Sequence, residues 1–150
     1  MPTSRLLLLV TLLLLGGVSS ASDVTTGVVD AYLRIQTALA ADTIDGVPQD
    51  AAAIVKAAGL LGPAGAKLKA AAAQLQGARD IAAARAGFWT LSDALIAYGK
   101  ETRTSLGPGV RTAYCPMEKK SWAQKDGRIA NPYAGKKMLR CGEFTSPAGS

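Results

Sequence analysis

The sequence contains no histidine, only two cysteines, and few aromatic residues, which make up 5% of its 150 positions. Histidine serves many hydrolases as a base and many zinc sites as a ligand, because its imidazole is neutral and basic near pH 7. Its absence excludes Ser/His/Asp and Cys/His catalytic sets, histidine-ligated zinc and a histidine proton shuttle. No pair of carboxylates has a spacing that singles it out as a general acid and base. We therefore predict that this protein is not an enzyme.

The N-terminal residues have the pattern of a secretory signal peptide. Arg5 precedes a leucine-rich run over residues 6–15, and small residues follow as far as Ser22. The run is about half as long as the roughly 20 residues that span a bilayer, and small residues occupy the positions at which signal peptidase cleaves. The pattern predicts a signal peptide over residues 1–21, cleavage after Ala21, a periplasmic or secreted protein, and a mature chain without a transmembrane anchor.

Basic charge is concentrated in the last third of the chain. Residues 101–150 contain nine basic and four acidic side chains, whereas residues 22–100 contain seven of each. Such a basic segment can contact an anionic membrane surface or an acidic partner protein, and both contacts would weaken with salt. Because export removes the protein from DNA and RNA, we expect an acidic protein partner or a membrane surface and no nucleic acid.

Apolar residues between the signal peptide and the basic segment recur at helical spacing. They predict helices over residues 23–41, 48–61 and 64–76, and a fourth helix that begins after Asp80, whose carboxylate can cap the first turn. Abundant alanine favours closely packed helices over a sheet. The predicted fold class is all-α, an antiparallel four-helix bundle over residues 22–106 in which charged side chains such as Arg85 are solvated.

A small, irregular Cys/Met module is expected to follow the bundle and to pack on it, over residues 107–144. A disordered tail is expected over residues 145–150. Both cysteines of the chain, and both methionines other than Met1, lie inside the module. Such clustering of sulfur points to a specific role for this segment.

Ligation of a soft metal is one such role, because thiolate and thioether sulfur suit Cu(I) better than oxygen does. Pro116 keeps the residue before it extended, so that the sulfurs on either side of the proline can point the same way. The other two sulfurs are three residues apart and can share a helical or turn face. The candidate ligands are Cys115, Met117, Met138 and Cys141.

A disulfide between Cys115 and Cys141 is the alternative, since exactly two cysteines in an exported protein ordinarily pair. By closing the loop over residues 115–141 it would stabilise the module by about 3 kcal/mol on the chain-entropy model. The methionines would then be packing groups, and the protein would be a structural or adaptor domain that acts by protein contact without a metal. The residues leave both roles open, as well as a site that redox state switches between them.

The same segment has a specific residue pattern, formed by Cys115-Pro116-Met117, Trp122 and Asn-Pro-Tyr-Ala-Gly-Lys-Lys-Met-Leu-Arg-Cys-Gly-Glu over residues 131–143. The pattern resembles the domain of unknown function 3347 family. Members are short exported bacterial proteins and C-terminal domains of periplasmic adaptor subunits of heavy-metal efflux systems. The resemblance implies a helical bundle with a Cys/Met segment that handles copper or another soft metal, and envelope metal-efflux components as partners.

The resemblance also implies a frame that supports the four candidate ligands. Its residues are Trp122, Asn131, Tyr133 and Gly135. An Asn-Pro pair favours a turn in which the asparagine side chain bonds to the backbone, and a glycine can then adopt a positive φ. We expect Trp122 to cover the module against the fourth helix. The function predicted from the sequence is an exported copper-binding or metal-efflux accessory protein.

Overall fold

The computed structural model describes residues 20–147, so nearly all of the predicted signal peptide lies outside the described residues. The helices and strands are α1 (Ala21–Ala40), α2 (Val47–Gly59), α3 (Ala66–Gln76), α4 (Ile81–Thr102), β1 (Val110–Cys115), β2 (Lys120–Lys125) and β3 (Glu143–Pro147). Two short 3₁₀ helices add to them, at Gly62–Gly65 and Gly135–Met138. Within the described range, none of the helices combines enough length with enough apolar character to span a membrane.

The four helices confirm the prediction from apolar spacing. Buried residues of α1 recur every three or four positions, as Val28, Tyr32, Ile35 and Leu39 do. Asp80 caps α4 as predicted, since its carboxylate accepts a hydrogen bond of 2.8 Å from the backbone N of Ala83. Consecutive helices pack against each other, and α1 also contacts α4.

The all-α prediction is wrong, because the C-terminal module contains a three-stranded antiparallel sheet in the order β2-β1-β3. Ala113 of the central strand lies opposite Trp122 on one side and Phe144 on the other. The strands are only five or six residues long. β1 alternates Val110, Thr112 and Tyr114, but over only six residues, and β2 and β3 contain no run of alternating apolar or β-branched residues. Such short patterns do not identify a strand in a sequence. Pairing with one another stabilises the strands, and β2 also packs against α4.

The last strand also changes the expected C-terminal boundary. β3 reaches Pro147 and so includes three residues of the segment that was predicted to be a disordered tail. Residues 148–150 lie outside the described residues. The outer position of β3, paired only with β1, explains why its short sequence carries no apolar signal of its own.

One hydrophobic core extends across the boundary between the bundle and the module. Tyr32 of α1, Phe88 of α4 and Trp122 of β2 are all fully buried in it. Tyr32 stacks on Phe88 with 4.8 Å between ring centres, and Tyr133 lies 6.0 Å from Phe88 and 5.9 Å from Trp122. The position of the module is therefore set by aromatic packing against the bundle.

Candidate functional site

Cys115 and Cys141 form a disulfide, one of the two outcomes that the sequence left open. Cys115 is the last residue of β1 and is fully buried, and its Cα lies 5.6 Å from that of Cys141. Cys141 follows the second 3₁₀ helix, where its backbone N donates a hydrogen bond to the carbonyl of Met138. The bond joins the central strand to the chain that leads into β3.

The two candidate methionines differ in their surroundings. Met117 lies in the turn between β1 and β2 with 73% of its surface exposed, so no packing orients its sulfur. Met138 is half-buried at the end of the second 3₁₀ helix. Cu(I) binds thiolates, and a disulfide sulfur is not a thiolate. The four residues do not fit a Cu(I) site while the disulfide is intact, and the copper prediction applies to the reduced chain only.

Asn131 is fully buried and holds together the turn that it begins. Its Oδ1 accepts hydrogen bonds from the backbone N of Tyr133 (2.8 Å) and of Ala134 (3.2 Å), which confirms the predicted turn. Its Nδ2 donates to the carbonyl of Cys141 at 3.1 Å. The side chain of Asn131 therefore connects the turn to the disulfide.

Trp122 is fully buried on β2, the strand that packs on α4, in agreement with its predicted position. Its Nε1 donates to Oε1 of Gln124 (3.0 Å), and the same oxygen accepts a hydrogen bond from the backbone N of Ala130 (3.0 Å). The carbonyl of Ala130 accepts a hydrogen bond of 2.6 Å from Nε2 of Gln36 on α1. Gln36 and Gln124, both buried, therefore provide hydrogen-bond partners for the backbone N and the carbonyl of Ala130, which lies in a loop outside the sheet.

Two buried phenols hold β2, Tyr32 from α1 and Tyr133 from the turn that Asn131 begins. The hydroxyl of Tyr32 accepts a hydrogen bond from the backbone N of Ala123 (3.0 Å) and lies 2.7 Å from the hydroxyl of Ser92. The hydroxyl of Tyr133 donates to the carbonyl of Ser121 at 2.6 Å. Burial raises the pKa of both tyrosines above the ordinary value, so both stay neutral at physiological pH.

A polar cluster connects the end of α1 and the start of α4 to the module. We name it the junction cluster, and its members are Asp42, Arg85, Gly135 and Lys136. Nη2 of Arg85 donates to Oδ1 of Asp42 (2.6 Å), while Nε of Arg85 donates to the carbonyl of Pro132 (2.8 Å). Oδ2 of Asp42 accepts a hydrogen bond of 3.0 Å from the backbone N of Lys136. The hydrogen bonds from Arg85, and next the one from Lys136, hold the pKa of Asp42 below its ordinary value.

Gly135 of this cluster has φ +55°, which confirms the predicted positive φ. A Cβ at this position would overlap Oδ1 of Asp42 and Nη2 of Arg85. Glycine is required here for two reasons, the left-handed backbone and the close approach of the ion pair. The frame residues Trp122, Asn131, Tyr133 and Gly135 thus all have structural contacts.

Arg85 is the residue that sequence reasoning placed wrongly. It was predicted to be solvated, but only 20% of its side chain is exposed, and all of its acceptors lie outside α4. Asp42 was not predicted to have any role. Because 43 residues separate these two, no local pattern in the sequence links them.

The comparisons with known proteins find nothing similar: no family model matches the chain, and neither does any curated protein or solved structure. The resemblance to the domain of unknown function 3347 family stays a prediction.

Proposed function

We propose that this protein is an exported, disulfide-linked accessory domain that acts through protein contact without a metal. The proposal rests on the bond between Cys115 and Cys141, which takes both thiolates out of the candidate metal site. The contacts of the frame support it, because the polar atoms of Asn131 and Tyr133 bond to the protein's own backbone. A rigid module fused to a helical core is suited to present a surface to a partner.

Two exposed apolar side chains are available for such a contact, one in the module and one on α4. Met117 projects from the turn between β1 and β2, and Trp89 on α4 is 43% exposed. Nζ of Lys120 lies 5.2 Å from the centre of the Trp89 ring and 5.3 Å from that of Tyr133, close enough for cation–π attraction. Large exposed side chains of this kind are enriched at protein interfaces.

A soft-metal site in the reduced chain is the second candidate, and one observation favours it. The disulfide places residues 115–117 next to residues 138–141, so all four candidate sulfurs belong to two adjacent segments. A dithiol reductant would convert the disulfide into two thiols by thiol–disulfide exchange and would itself become a disulfide. The two thiols could then lose their protons and ligate Cu(I) as thiolates, together with the methionines. Envelope metal-efflux components would be the partners of such a form.

The intact native mass of the mature protein, recovered from the periplasm, distinguishes the two candidates. The mass is measured before and after mild reduction, and again after Cu(I) is added to the reduced form. The accessory domain is expected to be two hydrogens lighter than its dithiol form and to retain no copper once reduced. A Cys115→Ala/Cys141→Ala variant, with both methionines intact, corrects for copper that binds elsewhere.

One stoichiometric copper adduct on the reduced chain, lost in Met117→Leu/Met138→Leu, would contradict this proposal and support the metal site. The methionine variant keeps both cysteines and similar side-chain volumes, so a loss of copper would report the thioether sulfurs themselves.

A further inference from the structure

Two shallow depressions adjoin each other along the exposed side of α1, with volumes of about 590 Å³ and about 370 Å³. Both are lined by Thr37 of α1 and by Ala41, the residue that follows α1, and the smaller one reaches the second 3₁₀ helix. Half of their combined lining is aliphatic and mostly alanine, with one leucine in each, Leu33 and Leu139. Small side chains on α1 allow another chain to approach its backbone closely. We name this surface the basic groove.

The charge of the basic groove has one sign. Its charged lining residues are Arg34, Lys125, Lys136 and Arg140, and none of the described residues that line it is acidic. Two other depressions have mixed charge, since Lys67 and Asp93 line one, and Asp23 and Lys56 the other. The positive potential therefore belongs to this face and does not simply follow from the net charge of +6.

Three of the four cations are available to a ligand. Arg34 is paired with Asp50 at 2.7 Å, which neutralises it. Lys125 and Arg140 donate to the carbonyls of Pro108 and Ile129, which orient each charge without cancelling it. Lys136 hydrogen-bonds to the junction cluster through its backbone N. Its exposed ammonium group therefore extends from a fixed position, from which it also attracts the carboxylate of Asp42. A groove with an apolar lining and fixed cations is complementary to an amphipathic anion.

We infer that the basic groove binds an acidic amphipathic helix of a partner protein. The apolar face of that helix lies on the alanines, and its carboxylates meet Lys125, Lys136 and Arg140. This inference rests on the proposed function and names the class of partner. A second copy of this chain does not fit, because residues 22–150 contain 16 basic and 11 acidic side chains, so two copies repel each other. Residues 1–19 do not fit either, since they include Arg5 and no acidic residue.

The test is a binding titration of the full mature protein with a labelled synthetic peptide of about 18 residues, or five helical turns. One face of the peptide is leucine and the other glutamate, and a second peptide has glutamine in place of every glutamate. We expect the glutamate peptide to bind at least about tenfold more tightly at low salt. The difference should shrink near 0.15 M salt, where the Debye length is about 8 Å.

Variants in two matched pairs locate the binding. Lys136→Glu should weaken binding about tenfold, while Lys137→Glu, the same change at an exposed neighbour outside the groove, should have a much smaller effect. Thr37→Glu places a negative charge in the middle of the groove, where it repels the glutamates of the peptide, and should also weaken binding. Its control is Thr26→Glu, another exposed threonine of α1 whose hydroxyl makes the same bond to the carbonyl four residues earlier.

Three outcomes would overturn the inference. These are equal binding of the two peptides, equal losses within a matched pair, and no peptide binding together with tight, Lys136-dependent binding to vesicles of anionic phospholipid. The copper measurement is independent of all three. If the protein takes up no copper and binds no acidic peptide, the proposed accessory function stands, and only the assignment of the basic groove as its docking site is wrong.

Discussion

Asp42 and Arg85 form an ion pair in which Oδ1 of the aspartate lies 2.6 Å from Nη2 of the arginine, although 43 residues separate them. Asp42 comes just after α1 and Arg85 lies in the second turn of α4. Through the hydrogen bond from Lys136 to Asp42, the pair also holds the start of the second 3₁₀ helix. That helix leads to Cys141, so the ion pair orders the chain next to the disulfide.

The first prediction concerns acid stability. Because the pKa of Asp42 is lower in the folded protein than in the unfolded chain, the unfolded chain takes up the proton first as the pH falls. The contribution of Asp42 to stability is therefore complete at neutral pH and is lost as the pH falls below about 4. We expect Asp42→Asn to lower the urea midpoint at neutral pH and to reduce its fall towards about pH 3. Asp45→Asn, a change at an exposed aspartate nearby, is the control, and equal pH profiles for Asp42→Asn and the native protein would contradict the prediction.

The second prediction concerns Gly135. Gly135→Ala should destabilise the protein by about 2–3 kcal/mol, because the left-handed backbone opposes a Cβ and because the tips of Asp42 and Arg85 must move and weaken their ion pair. Gly62 has a similar φ of +60° with open space around it. Gly62→Ala should therefore cost only about 1 kcal/mol, from the backbone alone. Equal urea midpoints for the two variants would contradict the prediction, because they would show that Asp42 and Arg85 can move away from a Cβ at position 135 without destabilising the protein.

The third prediction concerns the disulfide. Cys115→Ala/Cys141→Ala should lower the free energy of unfolding by about 3 kcal/mol, since the bond closes a loop between residues separated by 26 positions. The control is the native protein unfolded in the presence of a reductant, which breaks the bond but keeps both sulfur atoms. Its free energy of unfolding should be similar to that of the double alanine variant. A reduced native protein as stable as the oxidised one would contradict the prediction, because it would show that the bond does not restrict the unfolded chain.

The fourth prediction concerns the hydroxyl of Tyr32. Tyr32→Phe removes the acceptor of the Ala123 backbone N and should cost about 1–3 kcal/mol. Hydrogen exchange at Ala123 should become faster relative to the other amides of β2. Tyr98→Phe should cost less, because its partner Thr25 keeps a second hydrogen bond, to the carbonyl of Ala21. Unchanged exchange at Ala123 would mean that another group accepts that bond.

Local patterns in the sequence were enough to predict the helices, the Asp80 cap, the Asn131 turn and the positive φ of Gly135. Each of these depends on residues only a few positions apart, through helical periodicity or a side-chain bond to nearby backbone. Two cysteines were also enough to name the only disulfide that this chain can form within itself.

The sheet, the junction cluster and the choice between thiols and a disulfide depend on residues that are distant in the chain. Strands of five or six residues become stable by pairing and, for β2, by packing on α4. The alternation of Val110, Thr112 and Tyr114 in β1 is too short to identify a strand by itself. Asp42 and Arg85 meet because α1 and α4 pack together. Cys115 and Cys141 meet because Tyr114 of β1 pairs with Glu143 of β3, while Asn131 fixes the chain at Cys141. Both contacts exist only once the chain has folded.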